Sequence, residues 1–226
     1  MSKNAQGYMG TQVGKLGTAV GRRFRGAQVY SAYQPFVRNP RTDGQKKQRK
    51  IFAQYAVMAK ALMLTLRLGM KDAIKGTTRG VRNAFFHENW KRNVVTVTSG
   101  GELSINYGDM IVAKGGLAEV SFGNPDFDTA GQVKVDFETH DPIAGEGVTY
   151  DEDDMVYICA YQPDTQKCAL SDGVKRSALS ATLEVPAVWS GLRVHVYGFV
   201  VGKDDPDFEF ANVPSNSAYI GQGDIN

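Results

Sequence analysis

The stretch Phe85–Asn106, FFHENWKRNVVTVTSGGELSIN, contains the transition that decides the fold class. Up to Asn93 the apolar residues keep helical spacing, with Val81, Ala84, Phe85 and Trp90 on the core side of a helix expected over Thr77–Arg92. Beyond it apolar and polar residues alternate, first in Val94–Val97 and again in Glu102–Asn106, with the turn formers Ser99-Gly100-Gly101 between them. A period near 3.6 gives way to a period of 2, so helices precede strands.

Downstream, the alternation recurs in Met110–Ala113, Leu117–Phe122, Gln132–Glu138, Met155–Tyr161, Cys168–Leu170, Ser177–Val185, Leu192–Gly202 and Ala218–Gly221. Gly115-Gly116, Gly123-Asn124-Pro125, Gly145-Glu146-Gly147 and Pro163-Asp164 punctuate these runs. Many short strands at this spacing predict an antiparallel sandwich. Upstream, Phe52, Tyr55, Ala56, Ala59, Leu62, Met63 and Leu66 predict one helix over Asp43–Leu68. It starts after Asn39-Pro40-Arg41, with Thr42 or Asp43 as the cap. Glycines at 7, 10, 14, 17 and 21 precede it, too many for a stable helix at about 1 kcal/mol each, and predict an extended or irregular arm. The expected fold class is α+β. Residues 1–42 form a basic arm, 43–93 a helical hairpin, and 94–226 an antiparallel Ig-like β-sandwich or two small β modules.

Charge divides along the same line. Residues 1–100 carry 19 Lys/Arg against 3 Asp/Glu, and residues 101–226 carry 7 against 21, so a net of +2 conceals halves of opposite sign. Such halves attract across a subunit boundary and steer encounter. The basic residues that stand out are Arg22, Arg23 and Arg25 in the arm and Lys46, Lys47, Arg49 and Lys50 at the start of the long helix. Cations in a first helical turn oppose the macrodipole, each costing on the order of 0.3–1 kcal/mol, so an anionic partner is the better reason for them. Interleaved Tyr8, Phe24, Tyr30, Tyr33, Phe36, Phe52 and Tyr55 also suit nucleic acid, through phosphate contacts and stacking. Docking onto the acidic half of another copy is favoured, because a nucleic-acid binder has no use for a strongly acidic domain.

No residue pattern builds a catalytic centre. In Gly10–Gly17, GTQVGKLG, the spacing before Lys15 is one residue short of a phosphate-binding loop, and Leu16 stands where a hydroxyl would meet Mg²⁺. His87, His140 and His195 lie in different elements. The run Asp151–Asp154 lacks the ligand spacing and glycine of a calcium loop and reads as a solvated tip; Asp126 and Asp128 fail similarly. Ser171 precedes Gly173 as in a nucleophile elbow, but Ala169 occupies the other glycine position. The expectation is therefore no enzyme, no catalytic residue, no cofactor, no metal and no small-molecule substrate.

Cys159 and Cys168 are the chain's two cysteines. A two-residue turn at Pro163-Asp164 would set them opposite each other at bridging distance, whereas synthesis inside a cell would keep them reduced. Met1–Gly10 lacks the apolar core of an export signal, and the most apolar run, Ala56–Met70, is interrupted by Lys60 and Arg67. The expected chain is soluble, with no membrane partner.

Across nearly its whole length the sequence resembles a widespread family, without an established activity, of Bacteroidetes genomes and their tailed phages. The resemblance rests on GKLGTAVGRRFRG (Gly14–Gly26), NPRT (Asn39–Thr42) with Gln45, Arg49 and Phe52-Ala53, LRLGMK (Leu66–Lys71) and RNAFFHEN (Arg82–Asn89). It continues in VYICAYQPD (Val156–Asp164), ATLEVPAVWSGLRVHVYGFV (Ala181–Val200) and SNSAYIG (Ser215–Gly221). It implies a structural virion protein made in the host cytoplasm, a neck, tail or capsid-associated subunit. Its partners would be further copies of itself and other virion proteins. The alternatives are a nucleic-acid-binding protein and a β module for a host glycan or receptor, for which Trp189 is the anchor in view.

Overall fold

The computed structural model describes residues 3–4, 12–36, 41–139, 151–204 and 211–226. Gly7, Tyr8, Gly10, Asn39-Pro40, His140 and Gly145–Gly147 lie outside the described residues. Two compact units divide the chain, residues 1–45 and 46–226.

In the first unit β1 (Lys3–Asn4), β2 (Gln12–Leu16), β3 (Ala19–Phe24) and β4 (Ala27–Ala32) form one antiparallel sheet in chain order. An extended or irregular arm was the expectation; its extended segments pair as hairpins. Arg25 and Gly26, at φ 49° and 84°, are the two central residues of the β3–β4 turn, the left-handed pair that matches strand twist. Gly21 lets β2 and β3 close up, since a Cβ there would lie 2.5 Å from the Gln12 carbonyl oxygen. No described side chain of residues 12–36 is buried.

α1 (Asp43–Ala61) begins as that unit ends, and the Thr42 hydroxyl accepts the Gln45 N–H in the expected cap. The single helix expected to Leu68 breaks at Leu62 and turns by 81° into α2 (Met63–Gly69), followed by α3 (Lys71–Ile74) and α4 (Val81–Lys91). The three-four spacing runs through the break unchanged. Tyr55, Met58, Ala59 and Leu62 before it and Leu66 and Met70 after it all enter one core, and the bend lets both helices cover it. Among the described residues no single helix is long and apolar enough to cross a membrane.

The strands that follow are β5 (Val95–Val97), β6 (Leu103–Ile105), β7 (Ser121–Phe122), β8 (Gln132–Glu138), β9 (Met155–Gln162), β10 (Lys167–Leu170), β11 (Val174–Lys175), β12 (Ser180–Glu184), β13 (Arg193–Val201) and β14 (Ala218–Asp224). A five-stranded antiparallel sheet has the order β10-β9-β13-β14, with β11 also paired to β9; β12-β8-β7 make a second sheet, and β5-β6 a hairpin. The chain is thus mixed α+β, with several antiparallel sheets.

Strand alternation divides the core in two. On β9 and β13, Cys159, Tyr161, Tyr197, Phe199 and Val201 pack with the helices. Val156, Ile158, Ala160, Val194, Val196 and Val200 pack against Val133, Val135 and Phe137 of β8 and Ala181 and Leu183 of β12. Each such side chain contributes roughly 1.5–3 kcal/mol by leaving water, so β9 and β13, buried on both faces, anchor the fold. Gly198 belongs to the second face, where a Cβ would run into the Phe122 ring.

Three expected strands are shorter or missing, each for a local reason. Met110–Ala113 forms no strand: buried Asn89 donates to the Ile111 carbonyl and accepts its N–H at 2.9 and 2.8 Å, and Ser217 Oγ accepts the Val112 N–H. In Leu117–Phe122 the Ala118 and Glu119 carbonyls accept from Arg176 Nη2, leaving two residues for β7. Ser177–Val185 becomes strand only at Ser180, because Leu179 adopts a left-handed φ of 57°. The β9–β10 connection also differs. Gln162 pairs with Lys167 across four residues, which sets Cys168 opposite Tyr161 and Cys159 opposite Leu170. The expected direct Cys159–Cys168 pairing is replaced by a diagonal one between two thiols. The Gln162 side chain builds that longer turn, accepting the Thr165 N–H and donating to Asp164 Oδ2.

Candidate interaction surfaces

The basic residues singled out by the sequence fall into both units. Arg22 and Arg23 are adjacent on β3, so they point to opposite faces of the first sheet, and Arg25 occupies the next turn. The register places Val13, Lys15, Val20, Arg22, Phe24 and Val29 on one face. That face mixes valines and an aromatic ring with two cations, and Val13 and Phe24 are among the chain's exposed large apolar residues. Lys15 Nζ lies 3.8 Å from the centre of the Tyr33 ring, and the Arg25 guanidinium 5.5 Å from that of Phe24. Lys46, Lys47, Arg49 and Lys50 occupy the first two turns of α1 in the second unit. Helical spacing makes neighbours of Lys46, Arg49 and Lys50, and places Lys47 beside Lys50. Lys50 Nζ donates to the Gly101 carbonyl at 2.9 Å, tying α1 to the β5–β6 turn.

A second surface was missed in the sequence reading. Phe52 of α1 and Phe86 and Trp90 of α4 line a groove of about 460 Å³, completed by Arg79, Asn83, His87 and Lys91. Ring centroids are 4.3 Å apart for Phe52–Phe86 and 6.1 Å for Phe52–Trp90. Trp90, expected in the core, is 37 % exposed, and Phe52 57 %. The spacing held the signal: Phe86 and Trp90 are an i,i+4 pair offset by one residue from buried Phe85 and Asn89. Beneath the groove Tyr55 donates to the Asn89 carbonyl at 2.9 Å and accepts the Val95 N–H at 3.2 Å, fixing the floor to the core. At one end Glu88 meets Lys114 at 2.6 Å and His87 at 3.1 Å. Burial pushes its carboxyl upward, but hydrogen bonds from Lys114 and His87 outweigh it, and the group titrates below the ordinary carboxylate range.

The acidic run read as a solvated tip keeps Glu152 and Asp153 exposed, but its last residue closes a latch. Asp154 is fully buried against Arg176, 3.4 Å away. Its oxygens accept the Asp151 and Lys203 N–H groups, while Arg176 reaches the two carbonyls already described. Burial raises the Asp154 carboxyl, opposed by those backbone donors and by the guanidinium. Asp151 is held low, first by its hydrogen bond from Lys203, and Lys175 pairs with Asp153. These carboxylates therefore join β9, β11 and the end of β13. Among the described residues no cluster of His, Cys, Asp and Glu is arranged to hold a metal.

The remaining sequence candidates have structural partners. Ser171 Oγ accepts the Ile158 N–H at 3.0 Å and extends the β9 ladder. Lys15 and Leu16 end strand β2. Trp189 is 1 % exposed, within the core between the two sheets, so it cannot be the exposed anchor a glycan-binding reading needs. The Cys159 thiol is pushed well up by its hydrogen bond with Cys168 and by burial.

Residues 10–221 match the model of a family described as a family of unknown function (DUF6266). The chain belongs to this family. No curated protein and no solved structure matches it. The DUF6266 match covers nearly the same length as the resemblance read in the sequence, and it assigns no activity to the surfaces above.

Proposed function

We propose that this DUF6266 protein is a structural subunit of a tailed phage or phage-like particle, a neck, tail or capsid-associated component assembling into a homo-oligomer with other virion proteins. The carrying observation is the first sheet: four strands, an apolar and cationic face, and no buried side chain among residues 12–36. A sheet needs a covered apolar face for stability. An acidic protein surface supplies both the cover and the countercharge for Arg22, Arg23 and Arg25, and the 21 carboxylates of residues 101–226 provide one on every copy. Lys46, Lys47, Arg49 and Lys50 extend the same chemistry to α1. The two sheets sharing a core, read as an Ig-like sandwich, form the rigid body of the subunit. The resemblance to a family of Bacteroidetes and their tailed phages supplies the virion setting. Contacts between unlike patches generate rings or tubes.

Light scattering on the full chain over a salt series tests this reading. A multimer that dissociates with added salt, and in Arg22→Glu/Arg23→Glu/Arg25→Glu, is expected; a strict monomer at every salt and concentration refutes it. A nucleic-acid role is favoured by one specific feature, the cations lying against Tyr33 and Phe24. Filter binding that finds no DNA or RNA affinity at low salt removes it.

A further inference from the structure

We infer that the Phe52–Phe86–Trp90 groove is the seat of the acidic, phenylalanine-bearing segment Asp204–Phe210 of a second copy of this chain. The inference rests on the assembly reading above and names one of its contacts. The groove has an aromatic floor and a cationic rim, with Arg79 just before α4 and Lys91 at its last residue. An occupant must therefore supply an apolar ring and carboxylates at both ends.

The chain contains three acid-Phe-acid triplets: Asp126-Phe127-Asp128, Asp136-Phe137-Glu138 and Asp207-Phe208-Glu209. In the first two the ring is already used, since Phe127 and Phe137 both pack into the core between the sheets. The third sits in DDPDFEF, Asp204–Phe210, with four carboxylates and two phenylalanines. Its residues 205–210 lie outside the described residues, but its flanks are fixed: Gly202 N–H donates to the Val213 carbonyl at 2.9 Å, and Asn212 N–H to the Gly202 carbonyl at 3.2 Å. The segment's carboxylates supply countercharge for Arg79 and Lys91. Rings from Phe208 or Phe210 enter between Phe52 and Trp90. Because groove and segment are different patches, the contact is head-to-tail.

The test is a pair of measurements on the full-length protein. First, a labelled peptide of residues 204–213 is titrated into the Phe208→Ala/Phe210→Ala protein, whose groove has no competitor from its own kind. Saturable binding is expected, weakened about tenfold or more by Phe52→Ala or by alanine at both peptide phenylalanines. Second, Arg79→Glu/Lys91→Glu and Asp205→Lys/Asp207→Lys/Glu209→Lys are each expected to lose the multimer and to regain association when mixed. These surface charge reversals guard against a groove variant that fails to fold. Peptide binding unaffected by loss of both rings, or a Phe208→Ala/Phe210→Ala protein with an unchanged multimer mass, overturns the inference. In the latter case, dissociation of the Arg22/Arg23/Arg25 variant leaves the assembly reading intact, whereas a wild-type monomer at every salt sinks both.

Discussion

Lowering the pH from 7.5 to 5.0 destabilises this protein through His195. The imidazole is 6 % exposed, stacks on Tyr107 with centroids 3.9 Å apart, and has Nδ1 3.1 Å from the Tyr219 hydroxyl. Burial, helped by the charge of Arg193, lowers its pKa to about 4. An unfolded histidine titrates near 6.5. A depressed histidine pKa means that the unfolded chain takes up the proton first, so stability is complete above about pH 6.5 and falls until the folded pKa is reached. The whole difference is worth about 3 kcal/mol, and about 2 kcal/mol of it is lost by pH 5. Urea denaturation at pH 7.5 and 5.0, followed by tryptophan fluorescence, measures the loss for wild type and for His195→Gln. Glutamine keeps a hydrogen-bonding group beside Tyr219 and cannot titrate, so acid should cost the variant about 2 kcal/mol less than wild type, carboxylates contributing equally to both. Equal losses would refute the reasoning, because the imidazole would then be free to protonate in place.

Two further perturbations probe the latch and the strand packing. Arg176→Met leaves Asp154 buried without its countercharge and two carbonyls without a donor, and should destabilise by about 3–5 kcal/mol in thermal or chemical denaturation, with much of the loss recovered in Arg176→Met/Asp154→Leu. If the double variant is no better than the single one, the carboxylate is not what makes the arginine necessary. Gly198→Ala should cost about 1–3 kcal/mol by forcing the Phe122 ring off β13, and a smaller residue at 122 should reduce that cost.

What could be read from the sequence was what a residue's neighbours impose on it. The three-four spacing from Phe52 to Leu66 gave helix, Thr42 its cap, and alternation through Gln132–Glu138 and Leu192–Gly202 gave strands whose apolar positions are the buried ones. The division of charge between the halves was equally plain, because it needs only counting. Helical spacing also spans Leu62, yet it contains no sign of the 81° bend, which comes from the sheet surface the two helices must cover. The glycine-rich opening was read as an extended or irregular arm without its strand pairing, since the same glycines that penalise a helix supply the left-handed turns and close approach of hairpins. The groove was half visible, in the offset of Phe86 and Trp90 from Phe85 and Asn89.

The sequence by itself determined the change from helix to strand near Asn93, the alternating burial of β8, and that opposite charges occupy the two halves. Tertiary structure alone decided that Asp154 meets Arg176, that Asn89 holds Ile111, that the β9–β10 turn sets the cysteines on a diagonal, and that Phe52 and Trp90 share a groove. Periodicity and turn chemistry act between residues a few positions apart and leave a mark in the sequence. A pairing across tens of residues is set by how whole layers pack, and a buried polar group takes whichever partner that packing brings within reach.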